Sequence, residues 1–552
     1  MTSLATPHII GVDTGGTYTD AVLVDTATRT VIAAAKRPTT HYDLGVGVEH
    51  AVGDIIAATG VDPAGVGRVA VSTTLATNAV VEGYGADVGL IIIGWGGRIE
   101  VPGAAAILHV AGGHRIDGTE QEPLGLEALI DSARMLRGRV DAYAVCSLMS
   151  FANPAHELVA AKALGMVDPR PVFCSHEVSC RAGMQERAAT AVLNARLLPV
   201  MQLFLEGVSG AMQRIGITGE VVVVRGDATV MPMTEARRRA AFTVASGPAA
   251  TASFGAGAAH VADALVVDVG GTTTDVTLIR NGRPVIDGEG MVVGQWTTHV
   301  EAVEMFTVGI GGDSHVRPGP GQSLQIGPQR VVPLAMAGPL PDPTQWLGTG
   351  RYTRCLCPSP AGRTPSQPST VHALLLERGP MPPGLVAETL RMPEITVTGE
   401  VARLVKEQAV VLTGFTPTDA LHVLGELHLG DAALSTAGAR ALGSLRNESP
   451  EAFARSVLAA AAHAIEDAVV QHVARREVGG NFAGFLAQRR LGSILRVAVS
   501  LGVPMVGIGA AAKHLLEPVA KALGTSISFP DRHDVGNAFG AALLALGDSH
   551  TS

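Results

Sequence analysis

The chain has 552 residues and a formal net charge of −9, with 47% hydrophobic and 16% charged residues. This length predicts two or three domains, and the apolar composition excludes a disordered chain. The sequence contains no basic run that could follow nucleic acid and no apolar stretch long enough to cross a membrane, so we expect neither as a partner.

The N-terminus, Met1–Thr6, lacks the basic region and apolar core of a signal peptide. The five cysteines are an odd number and sparse for the length, which is typical of a reducing compartment. Both features favour a cytoplasmic protein.

The first half alternates apolar runs with helix-period segments, which indicates an α/β fold of strands backed by helices. The predicted strands are Ile9–Val12, Ala21–Val24, Val69–Ser72, Val88–Ile93, Ala142–Cys146 and Val221–Val224. The predicted helices are Leu44–Thr59, Leu126–Arg137 and Met184–Val208.

The second half begins with strand Leu265–Asp268 and ends with strand Met505–Gly507, helix Ala511–Leu523, strand Ser526–Phe529 and helix Gly536–Leu546. Between about residues 331 and 400, proline is dense enough to exclude long helices and central strands. We expect an irregular Pro-rich subdomain or lid inserted here, with a disordered linker as the alternative.

The pattern Asp-x-Gly-Gly-Thr-x-Thr-Asp occurs twice, at residues 13–20 and 268–275, each time between two apolar runs. Paired glycines accept positive φ, so each copy predicts a tight hairpin with a two-residue turn, whose backbone N–H groups can approach phosphate oxygens. Threonine hydroxyls add donors, and aspartates bind hydrated Mg²⁺ through oxygen. Two ordinary hairpins are the alternative, which the repetition makes the weaker one.

Two further glycine turns are candidates for binding. Gly507 and Gly509 lie between a short strand and a helix, where small residues let a flat ring or a phosphate approach the backbone. The segment Gly309–Ser314 combines Gly311 and Gly312 with Asp313 and Ser314. Asp313 could be a general base, a metal ligand or a helix cap, and the turn could be purely structural.

Two weaker patterns have bland alternatives. Cys355-Leu356-Cys357 with His372 could bind zinc, but without a second cysteine pair free thiols are the better interpretation. His299, Glu301 and Glu304 could be functional, although a charged solvent-exposed face explains them equally well.

These motifs, in this order, resemble the hydantoinase A/5-oxoprolinase family within the actin, sugar-kinase and heat-shock-chaperone ATPase superfamily. The resemblance covers nearly the whole chain. The stretches that carry it are Gly11–Asp20, Ser72–Ala79, Glu186–Ala195, Ser246–Ala249, Asp268–Asp275, Gly309–Ser314, Thr418–Gly425, Gly507–Lys513 and Gly536–Ala542. The chain departs from the family pattern at Asp313 and in Gly507–Lys513, and this leaves the substrate open.

The resemblance implies a two-lobed actin-like ATPase of duplicated ribonuclease H-like domains, with lobes at about 1–260 and 261–552. It implies that Asp13 and Asp268 hold Mg²⁺ through its water molecules or orient a nucleophile. Asp313 is not part of the family pattern, and its residue type and place in the turn are what make it a candidate catalytic residue. The residues expected to bind ATP are Thr14, Gly15, Gly16, Thr17, Gly270, Gly271, Thr272, Thr273, Gly507 and Gly509. Gly311, Gly312 and Ser314 are expected to border the substrate.

The activity implied is ATP-dependent opening of a cyclic amide such as hydantoin, 5-oxoproline or a related lactam, through phosphorylation of the amide oxygen. A hydantoinase B-like second subunit accompanies many members, so a homo- or hetero-oligomer is expected. The alternatives are a small-molecule kinase, the ATPase subunit of a ketone carboxylase, and a chaperone-like activator or reactivase of a partner enzyme.

Overall fold

The computed structural model describes residues 7–547 apart from 294, 320, 322, 360, 361, 480, 481, 483–485 and 487–497. The chain forms two compact units, each with its own core. The first comprises Met1–Gly257, Arg283–Glu304 and Val535–Ser552, and the second comprises Ala258–Gly282 and Met305–Asp534. A single division near residue 260 would assign Arg283–Glu304 and Val535–Ser552 to the second lobe, whereas their contacts place them in the first unit. The signal-peptide expectation for Met1–Thr6 lies outside the described residues.

The first unit contains two larger sheets and, at residues 286–303, two short two-stranded sheets. Its strands are β1 His8–Thr14, β2 Tyr18–Asp25, β3 Val31–Pro38, β4 Val66–Thr73, β5 Val88–Ile93, β6 Ala104–Val110, β7 Ala142–Ser147, β8 Val172–Cys174, β9 Glu220–Val224, β10 Val230–Pro232, β13 Arg283–Pro284, β14 Ile286–Asp287, β15 Val292–Val293, β16 Trp296–Thr297 and β17 Ala302–Val303. The larger sheet has the order β10-β9-β4-β1-β2-β3, and the smaller sheet has the order β6-β5-β7-β8 with parallel pairing throughout.

The helices of the first unit cover these sheets. They are α1 Leu44–Thr59, α2 Leu75–Glu82, α3 Leu126–Leu136, α4 Ala155–Val167, α5 Met184–Ile215, α6 Met233–Ala236, α7 Ser246–Ala259 and the C-terminal helix, numbered α16 below. The Asp43 side chain caps α1 by accepting from the Gly45 N–H, and Gly60 ends it in the left-handed region.

Helix α5 corrects one expectation from the sequence. It is long and apolar enough to cross a membrane by length and composition, with a mean hydropathy of 1.4 over 18 residues. However, 78% of that window is buried inside the structure. Its apolar composition is therefore explained by packing in the core of the first unit.

The second unit repeats the pairing scheme of the larger sheet. Its strands are β11 Ala264–Val269, β12 Thr274–Arg280, β18 Met305–Val308, β19 Ser314–Pro318, β20 Leu324–Arg330, β21 Val332–Pro333, β22 Arg354–Pro358, β23 Val410–Gly414, β24 Met505–Ile508 and β25 Ile527–Ser528. Strand β11 pairs antiparallel with β12 and parallel with β24, as β1 pairs with β2 and β4. Strands β18 and β25 flank this core as β3 and β9 do in the first unit. The predicted α/β fold with one antiparallel hairpin per unit is confirmed.

The helices of the second unit are α8 Pro343–Trp346, α9 Thr370–Arg378, α10 Pro383–Leu390, α11 Glu394–Lys406, α12 Pro417–Val423, α13 Ala432–Ser444, α14 Pro450–Glu477 and α15 Ala512–Ala522, and the first unit's last helix is α16 Gly536–Leu546. The Pro-rich segment is more regular than predicted, because it contains helices α9 to α11, which enclose a small core with β22. Proline precedes or opens α10 and α11, positions where its missing N–H breaks no helical hydrogen bond.

Small residues explain how α16 packs on the first unit. A Cβ added to Gly11 in β1 would lie 1.9 Å from the carbonyl oxygen of Ala538, and one added to Gly540 would lie 2.0 Å from that of Ala250. Backbone therefore contacts backbone at both points, which larger residues would prevent. Five of the seven residues in Gly536–Ala542 are glycine or alanine, which lets the helix lie directly on β1 and α7.

Candidate functional site

The first hairpin places its acidic and threonine residues opposite each other. Asp13 pairs with Asp20, and Thr14 pairs with Thr19, at the end of β1 and the start of β2. The Gly15 N–H closes the turn by donating to the Tyr18 carbonyl at 3.0 Å. The carbonyls of Gly15 and Gly16 are occupied by the Thr39 hydroxyl and the His41 ring.

Asp13 is nearly buried, with 5% of its surface exposed. Its Oδ1 accepts from the Ser72 hydroxyl at 2.6 Å, and its Oδ2 lies 3.5 Å from the Asn537 amide nitrogen. Ser72 stands beside Asp13 because β4 pairs parallel with β1 in that register. The carboxylate is thus oriented by one hydroxyl from the neighbouring strand.

The Thr14 hydroxyl at the end of β1 is available to a ligand. Its Oγ1 is buried and has no hydrogen-bond partner among the described residues. A buried hydroxyl without a partner is costly, so it is a natural position for a bound acceptor such as a phosphate oxygen.

The second hairpin reproduces the register of the first. Asp268 pairs with Asp275, and the Gly270 N–H donates to the Thr273 carbonyl at 2.9 Å. One detail of the prediction was wrong. None of the four paired glycines in these turns has positive φ, and the strands are separated by three and four residues rather than two. Close contact favours glycine at Gly15, where a Cβ would lie 3.2 Å from the Tyr18 oxygen, whereas a Cβ on Gly16 or Gly270 would meet its nearest neighbour at an ordinary 3.6 or 3.4 Å.

The segment Gly309–Ser314 lies directly on the second hairpin. The N–H groups of Gly312 and Asp313 donate to the carbonyls of Gly270 and Gly271 at 3.0 and 2.7 Å. A Cβ on Gly311 would lie 2.5 Å from the Gly270 oxygen. None of the three glycines in this segment has positive φ, so a structural need for glycine here comes from close backbone contact. The structure therefore brings Gly311, Gly312 and Asp313 together with the second hairpin.

Asp313 is held at the edge of this segment. It is 7% exposed, and its oxygens lie 3.4 Å from the Arg330 Nε and 3.4 Å from the Thr418 hydroxyl. Thr418 donates both its N–H and its hydroxyl to the Gly312 carbonyl. Asp313 is thus not a helix cap, because no described helix begins at the following residues.

Asp419, next to Thr418, anchors this arrangement. Its fully buried carboxylate accepts hydrogen bonds from the N–H groups of Leu334, Ala335 and Thr416 and from the hydroxyls of Thr416 and Ser435. Burial raises the pKa of Asp419 to about 6, and the hydrogen bonds act in the opposite direction. Its role is to fix the start of α12, which carries Thr418 against Gly312.

Gly509 reaches the second hairpin through the parallel pairing of β24 with β11. It has φ 103°, and a Cβ there would lie 2.2 Å from the Val269 oxygen and 3.2 Å from Asp268 Oδ1. Asp268 itself is 8% exposed. Gly507 lies under the Phe529 ring, which would be 2.4 Å from an added Cβ. Both predicted glycines are therefore positions where a side chain does not fit.

A depression of about 680 Å³ opens beside these glycines. It is lined by Lys513, Phe529, Pro530, Asp531, Arg532, His533 and Asp534. His533 fixes the loop, because its carbonyl accepts from the Gly509 N–H and its Nδ1 lies 3.1 Å from the Gly509 oxygen. None of these loop residues was predicted as a site residue, although the loop is a polar run between a strand and a helix.

The last aspartate of each hairpin has a different environment. Asp20 pairs with Lys36 at 2.8 Å. Asp275 is only partly buried, and it accepts from the Thr307 hydroxyl at 2.5 Å. Loss of solvation raises its pKa to about 6, and the hydrogen bond acts in the opposite direction.

Other candidate metal ligands do not form a free site. Within the described chain, one group of three has metal-ligand spacing, Glu157, Cys174 and His176. The Glu157 carboxylate already accepts from Ser147, Ser175 and His176. Cys355 and Cys357 are buried free thiols, and their mutual hydrogen bond and burial raise the pKa of Cys355.

Ser72, Asn537 and Thr418 were not predicted as individual site residues. All three lie in stretches that carried the family resemblance, so their signal was position within a motif. Thr418 donates through its backbone N–H as well as its hydroxyl, and a backbone contact of this kind cannot be predicted from the type of residue.

Comparison with protein families matches nearly the whole chain. The family model described as the hydantoinase/oxoprolinase N-terminal region matches residues 9–167, and the model described as hydantoinase/oxoprolinase matches residues 187–545.

Among curated proteins, the chain is 28% identical over 357 residues to the caprolactamase subunit alpha of Pseudomonas jessenii, covering 58% of this chain and 50% of that protein. It is 31% identical over 398 residues to the acetophenone carboxylase gamma subunit of Aromatoleum aromaticum, covering 60% and 50%. The matched region thus spans about half the length of these relatives.

Two solved structures share the fold. A nucleotide-free acetone carboxylase chain superposes with a TM-score of 0.68 at 19% identity, covering 97% of this chain and 70% of that one. The ATP-dependent caprolactamase of Pseudomonas jessenii gives 0.62 at 21% identity, with the same coverage. The fold is therefore the α/β actin-like ATPase fold of these enzymes.

Proposed function

Because the chain belongs to the hydantoinase/oxoprolinase family, we propose that it uses ATP to open a cyclic amide by hydrolysis. The observation that carries the proposal is the repeated hairpin. Both copies have the same strand register, a nearly buried aspartate at the same position, and a glycine turn closed by the same hydrogen bond.

The residues fit a magnesium nucleotide. The unpartnered, buried Thr14 hydroxyl is suited to donate to a phosphate oxygen. We assign Asp13 and Asp268 to Mg²⁺ through its water molecules, because carboxylate oxygen is the ligand type that Mg²⁺ prefers. Gly15, Gly16, Thr17, Gly270, Gly271, Thr272 and Thr273 would surround the phosphates.

The adenosine would lie beside Gly507 and Gly509. The depression next to them offers the Phe529 ring for stacking and the Lys513 and Arg532 cations at its wall. Its volume of about 680 Å³ is within the range of small-ligand pockets.

An unstrained cyclic amide resists water because resonance stabilises its carbonyl. ATP supplies a phosphoryl group that makes the amide oxygen a leaving group and the carbon open to attack. The chain's own contribution is to position both reactants and to stabilise charge with backbone N–H groups. Asp313, Gly311, Gly312 and Ser314 would border the substrate, since that segment is hydrogen-bonded to the second hairpin.

The test is ATP hydrolysis by the purified protein, measured alone and with a panel of hydantoins, 5-oxoproline, caprolactam and linear amides as controls. We expect cyclic amides to stimulate ADP release and to yield the ring-opened amino acid in equal amounts. Stimulation without a ring-opened product, both for the chain alone and with a hydantoinase B-like partner, would contradict the proposal.

The relatives support a second candidate, the ATPase subunit of a ketone carboxylase. The acetophenone carboxylase gamma subunit is a curated relative, and an acetone carboxylase is a structural neighbour. Ketone- and bicarbonate-dependent ATP hydrolysis would favour this function, whereas lactam-dependent hydrolysis favours the first.

We also propose that the chain works with a second subunit. Both curated relatives are named as subunits, and the matched region covers half of each. If the chain alone hydrolyses ATP without opening an amide, co-expression with a hydantoinase B-like protein should restore the complete reaction.

A further inference from the structure

Three polar side chains that the proposed nucleotide site does not use meet in the first unit. Ser179 Oγ lies 2.6 Å from His299 Nδ1. The His299 N–H donates to the Thr190 hydroxyl at 2.9 Å, and that hydroxyl donates to the Glu186 carbonyl at 2.7 Å. The imidazole is therefore fixed through both its ring and its backbone to residues on or just before α5.

The other edge of the imidazole faces Glu186. Gly183, which precedes α5, has φ 106°, and a Cβ there would lie 2.6 Å from Glu186 Oε2 and 3.3 Å from His299 Nε2. A carboxylate and a ring nitrogen thus flank one point that only glycine leaves open. Within the described chain, neither His299 Nε2 nor the Glu186 carboxylate has a hydrogen-bond partner.

The charges around His299 favour a neutral ring. Burial lowers its pKa, and the Arg181 and Arg187 cations act in the same direction, while the Glu186 carboxylate opposes them. Arg187 is buried and donates to the Ser147 carbonyl, and Arg181 pairs with Glu301. A neutral imidazole beside a carboxylate can accept a proton near neutral pH.

The group also lies at the carboxyl-end edge of the smaller parallel sheet. Ser179 follows β8, and α5 begins four residues after Cys180, beyond the carboxyl ends of the parallel strands β7 and β8. Ligands of open parallel sheets bind at this edge. Helix α2 packs on α5 and β15. It begins shortly after Ser72, the residue whose hydroxyl donates to Asp13.

We propose that His299 is the proton-transfer residue of amide opening, positioned by Ser179 and Glu186; this rests on the proposed function. As the oxygen of water bonds to the amide carbon, a water proton moves to His299 Nε2. As the carbon–nitrogen bond breaks, His299 returns that proton to the departing nitrogen. The second water proton ends on the released amine, and the carbon keeps the phosphorylated oxygen as an acyl phosphate. A second water hydrolyses this acyl phosphate to the carboxylate and inorganic phosphate, and His299 ends in its starting state.

The principal test is His299→Asn, in which the amide can still bond with Ser179 while the Nε2 position is lost. Ring opening of 5-oxoproline and caprolactam is measured at saturating ATP across the pH range. The rate of the wild type should fall as the pH is lowered, with a midpoint below the usual histidine pKa. This fall in rate is the acidic limb of the pH profile. The variant should be about 100-fold slower or worse and should lack that acidic limb. His50→Asn, an exposed histidine, is the matched control.

Two further variants test the positioning residues. Glu186→Gln should move the acidic limb to lower pH, because its carboxylate raises the pKa of His299. Ser179→Ala should lower kcat more than it raises KM, and Ser179→Thr should restore part of the loss. If these residues were only structural, Glu186→Gln would not shift the acidic limb. The pH profile of Glu186→Gln therefore tests the proposal even if His299→Asn folds poorly.

The outcomes separate the two proposals. If the wild type, with or without a hydantoinase B-like partner, opens no cyclic amide, the proposed function and this inference both fall. If it opens one while His299→Asn keeps a rate within threefold or Glu186→Gln leaves the acidic limb in place, only the inference is overturned.

Discussion

In the first unit the turn carbonyls are held by the side chains of Thr39 and His41 and the carboxylate Asp13 by a hydroxyl from the neighbouring strand, whereas in the second unit the turn carbonyls are held by backbone N–H groups of a following segment. There, Gly312 and Asp313 donate their N–H groups to the turn carbonyls. The same eight-residue pattern thus keeps its register in two different surroundings. The comparison teaches that the motif fixes backbone geometry locally, while its chemical environment comes from elsewhere in the chain.

The largest expected effect tests what the two copies share. Asp13→Asn and Asp268→Asn should each reduce ATP turnover by about 100-fold or more, because each removes a carboxylate assigned to Mg²⁺. Both substitutions keep the shape of the side chain, and in Asp13→Asn the amide oxygen could still accept from the Ser72 hydroxyl. Steady-state ADP release measures the effect.

Glu122→Gln, an exposed carboxylate, is the control and should match the wild type. Wild-type turnover in one hairpin variant alone would show that the two copies are not functionally equivalent. Wild-type turnover in both would exclude the assigned site.

The second prediction concerns the support of the second hairpin. Asp419→Asn should lower the free energy of unfolding by about 2–4 kcal/mol, because its amide group would face donors that the buried carboxylate now satisfies. Urea unfolding followed by fluorescence measures it, since Trp346 packs in the same core cluster as Phe415 and Ala420.

The matched control is Asp431→Asn, which changes an exposed N-cap of α13. Asparagine caps helices about as well as aspartate, so its effect should stay within about 0.5 kcal/mol. Equal effects of the two substitutions would mean that Asp419 is an ordinary cap.

The third prediction concerns the segment Gly309–Ser314, which is hydrogen-bonded to the second hairpin. Asp313→Asn should reduce substrate-stimulated ATP turnover roughly 10- to 100-fold while changing nucleotide affinity much less. The reason is that Asp313 lies on the turn proposed to border the substrate. Nucleotide titration and stimulated turnover are measured in parallel.

Equal losses in both measurements would place Asp313 with the magnesium nucleotide instead. If neither changes, the segment Gly309–Ser314 is structural, and the substrate must be bound elsewhere.

The sequence predicted what depends on local pattern. Helices Leu44–Thr59 and Gly536–Leu546 and strand Val88–Ile93 have the predicted bounds, because apolar periodicity and capping residues act within a few positions. Both hairpins were predicted from their motif. The regular helices of the Pro-rich segment were missed, because proline density was interpreted without asking whether each proline begins a helix.

The contacts that distinguish the two hairpins could not be predicted. Ser72 reaches Asp13 through the register of a parallel strand, and Asn537 comes from a helix more than 500 residues away. His299 meets Ser179 across 120 residues. The reason that Gly311 must be glycine is likewise a backbone contact with a distant turn, which residue type alone does not reveal.

The smallest expected effect compares the last aspartate of each hairpin. Loss of solvation raises the folded-state pKa of Asp275 to about 6, above its ordinary value of 3.8. Between these two pH values the unfolded chain loses its proton first, so the stability of the wild type falls as pH rises and then levels off above about 6. Asp275→Asn cannot ionise and should therefore be about 1–2 kcal/mol more stable than the wild type near neutral pH, with no gain near pH 4.

Asp20→Asn should show no such gain, because it loses the ion pair with Lys36, which is worth about 0.2–1 kcal/mol and weakens in salt. Thermal unfolding at acidic and neutral pH measures both variants. Opposite signs at neutral pH would confirm that one motif sits in two electrostatic environments, and equal signs would contradict it.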